Sequence, residues 1–368
     1  MNRVDGSGIS YPHMVDLPLW ANTKYLLGGN SHAQMLALLD ELLKADVEQA
    51  VPNVRDRALL QHDLWSVFDW TTKTDRAEDL PARIELRRKL AIAIQKLALS
   101  SQQIAALPSN LIGAAGDDGP PNVFDKTSRW TSIGIPGATP VAEAHLKNLG
   151  GRSAFGIFIS IPEGRKAAIK YLERLAEAPY PPARTAANGA APNEFEPPQF
   201  SAGTKVALLR QMLLIDNDGQ LVGSPIVEEL QVRKFVTLAP KDVQFQEFSL
   251  DREDYIAEPA KALRAVGPEE TEPLVFLSKE IDFFELPRNP ESAEHRPQPP
   301  ILKSCFGCHR EPGVLSMNSF TRAFSAVPAN NPKLADLSLS REATLAIDWK
   351  KSQASWGMLR GYWETNAR

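Results

Sequence analysis

Only two cysteines, Cys305 and Cys308, stand among the 368 residues of this chain, and just two residues separate them. A pair so close ties no distant segments together, so the fold must rest on buried apolar surface. The length allows that, since a chain of this size exceeds what one core usually holds and predicts two or three domains. A hydrophobic content of 43% and a charged content of 23% are those of a globular protein. The net charge of −4 and pI near 6.0 argue against a nucleic-acid partner. The longest apolar run, 154–161, falls far short of the roughly 20 residues of a membrane-spanning helix, so no membrane span is expected.

The cysteines belong to the stretch Lys303-Ser304-Cys305-Phe306-Gly307-Cys308-His309-Arg310, which reads C-x-x-C-H. Two thiols at this spacing can add across the two vinyl groups on one edge of a porphyrin, while the adjacent imidazole turns under the ring to bind iron. Three other readings use the same residues. A thiol redox pair wants a βαβ context with the pair opening a helix, which the proline-rich lead-in 296–300 does not supply. A structural zinc site wants a second pair of ligands, and the chain offers no further cysteine and no H-x3-5-H. A plain disulfide fits an exported protein and leaves His309 a coincidence.

Cys305, Cys308 and His309 resemble the haem-binding site of the cytochrome c superfamily, over that pentapeptide alone. The resemblance implies haem c as cofactor, His309 as proximal iron ligand and the two cysteines as thioether anchors. Small cytochromes c set a helix at the motif. Here prolines precede it, so a loop clamping haem against a larger body is expected. Haem is attached to such motifs outside the bacterial cytoplasm, which implies a periplasmic or secreted protein. The start, 1–8, shows no charged segment followed by an apolar one, so no signal peptide is visible.

The sixth iron position separates the function classes. Met358 or Met317 can fill it, with His295 a further candidate, and a filled position suits electron transfer or redox sensing with a redox partner protein or a small-molecule redox substrate. An open position suits a peroxidase-like oxidoreductase, which needs a distal acid-base pair. A third class is a binding or structural protein whose C-x-x-C is a disulfide. His62 and His145 fall on apolar-patterned helices; His62, with distal haem ligand as the alternative, is read as a capped or boundary residue, and Arg87-Arg88-Lys89 as a solvated helix face, with a haem propionate partner as the alternative.

Along the chain the expected architecture is α+β: an N-terminal helical bundle, a small antiparallel sheet in the middle and a haem-attachment segment with a terminal helix. The divisions are 1–110 (helical), 111–198 (mixed, with Pro/Gly-rich linkers), 199–290 (β) and 291–368. Apolar spacing predicts helices over 31–47, 53–72 and 81–99, joined as an antiparallel bundle, then a helix from Thr139-Pro140 to Leu149 that Gly150-Gly151 ends. A strand over 153–161 and a helix over 163–178 follow. Strands are expected over 204–215, 220–222, 227–236, 245–250 and 274–284, with Asp216-Asn217-Asp218-Gly219 as a hairpin turn rather than a calcium loop. One C-terminal helix from Ser340 carries Trp349, Trp356 and Trp363 as a packing stripe.

Overall fold

The computed structural model describes residues 25–73, 80–111, 119–125, 127–177, 197–239, 242–270, 301–303, 309, 312–317 and 338–366. Cys305, Cys308, His295 and the strand expected over 274–284 lie outside the described residues.

In chain order the helices are α1 (Gly29–Lys44), α2 (Val47–Ala50), α3 (Val54–Lys73), α4 (Leu80–Lys96), α5 (Ser101–Ala105), α6 (Glu143–Asn148), α7 (Arg165–Glu177), α8 (Arg252–Ala257), α9 (Leu339–Lys351) and α10 (Ala354–Asn366). The strands are β1 (Trp130–Ile133), β2 (Ser153–Ser160), β3 (Lys205–Ile215), β4 (Leu221–Phe235), β5 (Val243–Leu250) and β6 (Leu263–Ala265). They form one sheet in the order β1-β2-β3-β4-β5-β6, every neighbouring pair antiparallel. The fold is thus mixed helix and sheet, as expected. The sheet is larger than the small β region foreseen, because β1 and β2 from before residue 198 pair with the strands after it.

The β3–β4 hairpin forms where turn chemistry demands it. Asp216 Oδ1 accepts the backbone N–H groups of Asp218 (3.0 Å) and Gln220 (2.7 Å), and Gly219 supplies a φ of 71° that a side chain would strain. The same turn is tied to the helical layer, since Asn217 N–H donates to Leu99 O at 2.9 Å and Ser101 Oγ–H to Asp216 Oδ2 at 2.5 Å. β4 runs unbroken where two strands were expected, and the register shifts between Arg210 and Leu213 mark a bulge opposite its Pro225 region. A bulge is where a strand can hold a residue without a ladder donor.

The sheet has apolar clusters on both its faces. Phe155, Ile157 and Ile159 of β2, Val206 and Leu213 of β3 and Phe235 of β4 join the main core with Trp65, Phe68, Leu86, Leu90 and Ile94 of α3 and α4. Phe158, Ala207, Leu209, Leu230, Val232 and Phe248 face the other way, under Leu111, Val123 and Trp130. Period-two alternation therefore puts apolar residues on both faces, and α4 packs against both α1 and α3. The C-terminal segment breaks at Ser352–Gln353, where Ser352 Oγ–H and Gln353 Nε2–H both turn back to Trp349 O at 2.6 and 3.1 Å. The single helix expected there is two, so Trp349 leaves the stripe. Trp356 and Trp363 remain together on α10, the first against Trp65 and the second donating its Nε1–H to Ala91 O at 2.7 Å.

Candidate functional site

On β4, alternation places Arg233 on the face of Phe235, toward the main core, opposite Val206 of β3 and Phe245 of β5. A buried guanidinium there needs acceptors. It finds them in the short 3-10 helix Gly313–Ser316, where Nη1 donates to Ser316 O at 2.9 Å and approaches Ser316 Oγ at 3.3 Å. That helix is fixed in turn by Gln199, whose Oε1 accepts Val314 N–H at 2.9 Å. Gly313 has φ 51°, and a Cβ there would stand 2.2 Å from Gln199 Oε1, so only glycine lets the two meet.

His309 of the C-x-x-C-H stretch is half-buried beside this pair. Its Nδ1 lies 2.8 Å from Ser316 O and 3.0 Å from Arg233 Nη1. Protonated, Nδ1 donates to the carbonyl and leaves a lone pair on Nε2; unprotonated, it accepts from Arg233. Ser316 O keeps its bond from Arg233 in both cases, so whatever meets Nε2 sets the tautomer. Across from it stands His145 of α6, its ring centroid 6.3 Å from that of His309 and the two planes only 6° apart. The His145 ring also lies 5.8 Å from that of Phe155 of β2, the planes 37° apart.

Burial, then the Arg233 charge, push His309 down to about 3. Burial, then Arg233 and Arg210, push His145 down to about 4. Both imidazoles are therefore neutral at neutral pH, fit to donate a lone pair to a metal and poor carriers of a proton. Among the described residues no group of three or more His, Cys, Asp or Glu side chains gathers to hold a metal.

The other candidates fall elsewhere. Met317 follows Ser316 directly, is buried in the main core, and donates its backbone N–H to Val314 O at 3.0 Å. Met358 is half-buried on α10 against the same core. His62 is no boundary residue: it is buried, with Nε2 at 3.3 Å from Arg152 O and 3.7 Å from Glu228 Oε1, within a network that includes Ser153 and Arg210. Arg87 is likewise no solvated residue, being buried with its guanidinium on Thr71 O and Oγ1. A cavity of about 460 Å³ lies over the opposite sheet face, lined by Trp130, Lys205, Val232 and Lys234 among others, with no histidine in its wall. It is remote in chemistry from the paired imidazoles.

Arg233, Ser316 and the pairing of His145 with His309 escaped the sequence reading. One signal was legible: an arginine at the core parity of a strand, two residues before Phe235. No known protein family, curated protein or solved structure matches this chain.

Proposed function

We propose that the chain is an exported mono-haem c-type protein that transfers electrons or senses redox state, with Cys305 and Cys308 as thioether anchors and His309 as proximal ligand. The observation that carries this reading is the contact of His309 Nδ1 with Ser316 O at 2.8 Å. A ligating histidine gives its second ring N–H to such an acceptor, which fixes the ring and raises the donor strength of Nε2. The histidine singled out by the cysteine spacing is thus the one whose outer nitrogen meets a buried carbonyl. Bound there, haem supplies a one-electron couple. The protein supplies a neutral imidazole, a guanidinium beside it and an apolar wall from β2, all of which favour oxidation-state change without proton chemistry. Partners are a redox protein or a small-molecule redox substrate.

The test is expression with an export signal in a host that matures cytochromes c. The expected product keeps its colour through acid-acetone extraction and has the mass of the polypeptide plus one haem, and Cys305→Ala with Cys308→Ala is colourless. An intact mass equal to the bare polypeptide overturns the reading and leaves the disulfide alternative. Rapid peroxide turnover with a dye substrate would instead make the protein a peroxidase-like enzyme.

A further inference from the structure

We propose that the cavity over the second sheet face binds a small multivalent oxyanion, a molecule carrying two or more phosphate or carboxylate groups. The proposal is independent of the haem reading, because Arg233 and His309 belong to the other face of the sheet.

Strand register builds the site. Trp130 of β1 stands opposite Ser160 of β2, Ser160 opposite Lys205 of β3, and Lys205 opposite Lys234 of β4. Directly opposed residues of antiparallel strands project from one face, so the four form a row across four strands. All four line the cavity of about 460 Å³. One row further along the same face, Val232 stands opposite Gln246 of β5, and both line it too. The face is fixed by alternation, since Lys205 shares the parity of Ala207 and Leu209, and Lys234 that of Val232 and Leu230, all in the apolar cluster under Trp130.

The row has an electrostatic cost. Like charges directly opposite each other destabilise a strand pair, and Lys205 and Lys234 are such a pair. Both strands are internal to the sheet, so the lysines do not guard an exposed edge. Arg129, beside Trp130, brings a third cation to the wall, held there by its Nη1–H donating to Pro162 O at 3.1 Å. Among the described residues no Asp or Glu lines this cavity. A concave, low-dielectric wall focuses the field of three like charges, and an anion between the lysines turns their repulsion into two attractions. Ser160 Oγ and the Gln246 amide add polar groups at the same place. The volume is that of small-molecule sites, about 300 to 1,000 Å³, and three separated cations match several anionic groups better than one.

The experiment is calorimetric titration of the full chain at neutral pH, with pyrophosphate and citrate as probes and acetate at matched ionic strength as control. Thermal unfolding is followed alongside. One-to-one binding of at least one probe is expected, about tenfold or more tighter than acetate and weaker as salt is raised. Preference for pyrophosphate assigns the ligand phosphate groups, and preference for citrate assigns carboxylates. Lys234→Gln should weaken binding about tenfold or more and, without ligand, raise the Tm, because the opposed charge is gone. Arg129→Gln, at an exposed position, should weaken binding with no burden on the sheet. Lys170→Gln is the control: it lies exposed on α7, whose buried face joins the main core, and should leave the affinity unchanged. Neither heat nor a Tm shift with either probe at about 10 mM overturns the proposal. So does an equal loss in Lys170→Gln and Lys234→Gln, which would be general attraction of anions to surface lysines, or an affinity unchanged in both Lys234→Gln and Arg129→Gln.

Discussion

Asn110 is buried between the helical segment and the sheet, and its amide does what a strand partner would do. Nδ2–H donates to Val227 O at 2.7 Å and Oδ1 accepts Val227 N–H at 2.8 Å, so one side chain satisfies both backbone groups of a residue at the β4 bulge. Asn110→Ala leaves two buried backbone groups unpaired and should cost about 2 to 4 kcal/mol, read as a drop in the urea midpoint at unchanged slope. Gly151 is constrained differently. Its φ is 69°, and a Cβ built there lies 2.4 Å from the Trp349 ring. Gly151→Ala should therefore lower stability by about 2 kcal/mol or more, and trimming the ring in Trp349→Leu should recover part of that loss, the part due to φ remaining. At this scale the sequence was half legible. Gly150-Gly151 is a visible helix stop, while the need for Gly151 in particular arises from a tryptophan nearly two hundred residues later.

Among the elements, α9 shows how a buried carboxylate is tolerated. Glu342, in its first turn, accepts Val141 N–H at 2.9 Å and pairs with Arg341, yet burial outweighs both and raises its pKa above the ordinary carboxylate value. A group whose native pKa is raised holds its proton more tightly folded than unfolded, so it costs stability as pH rises from the unfolded value, about 4.3, through the native one. Glu342→Gln keeps an oxygen for Val141 without the charge. Its urea midpoint should match the wild type near pH 4 and exceed it at pH 7; equal pH profiles would show that the Arg341 pair already compensates the burial. The break between α9 and α10 belongs to this scale as well. The seven-residue spacing of tryptophans reads as one stripe, but Ser352 and Gln353 turn their side chains onto Trp349 O and end the helix there, a competition that period alone does not reveal.

Across the molecule, helices and sheet are held by a buried ionic group as well as by the apolar core. Asp69 of α3 takes Arg152 at the head of β2 (3.2 Å) and Lys350 of α9 (2.5 Å), and the Lys350 ammonium also lies 5.1 Å from the Trp65 ring centre. Removing the shared anion takes the carboxylate from two buried cations, although Lys350 keeps Gly150 O at 3.0 Å, so Asp69→Ala should cost about 3 to 5 kcal/mol. Lys350→Met should cost clearly less, because Asp69 keeps Arg152 and the methionine chain still covers Trp65. Since the main core draws on residues from Leu26 to Trp363, tryptophan fluorescence and far-ultraviolet circular dichroism should report one coincident unfolding transition. Two separated transitions would show independent helical and β units.

What the sequence determined by itself was local: the helices over α1, α3 and α4, the β3 and β5 strands, the Asp216–Gly219 turn, and the histidine that stands beside the cysteine pair. Each follows from spacing, alternation or turn chemistry within a few residues, which the chain carries wherever it goes. The tertiary structure alone decided the contacts between segments far apart in the chain. Register puts Arg233 toward Ser316 and His309, the glycine-ended α6 puts His145 against His309, and packing turns inward both His62, which reads as a boundary residue, and Arg87, which reads as part of a solvated face. Such contacts depend on strand pairing and on the angle at which a helix meets a sheet, and no residue type at a fixed spacing encodes either.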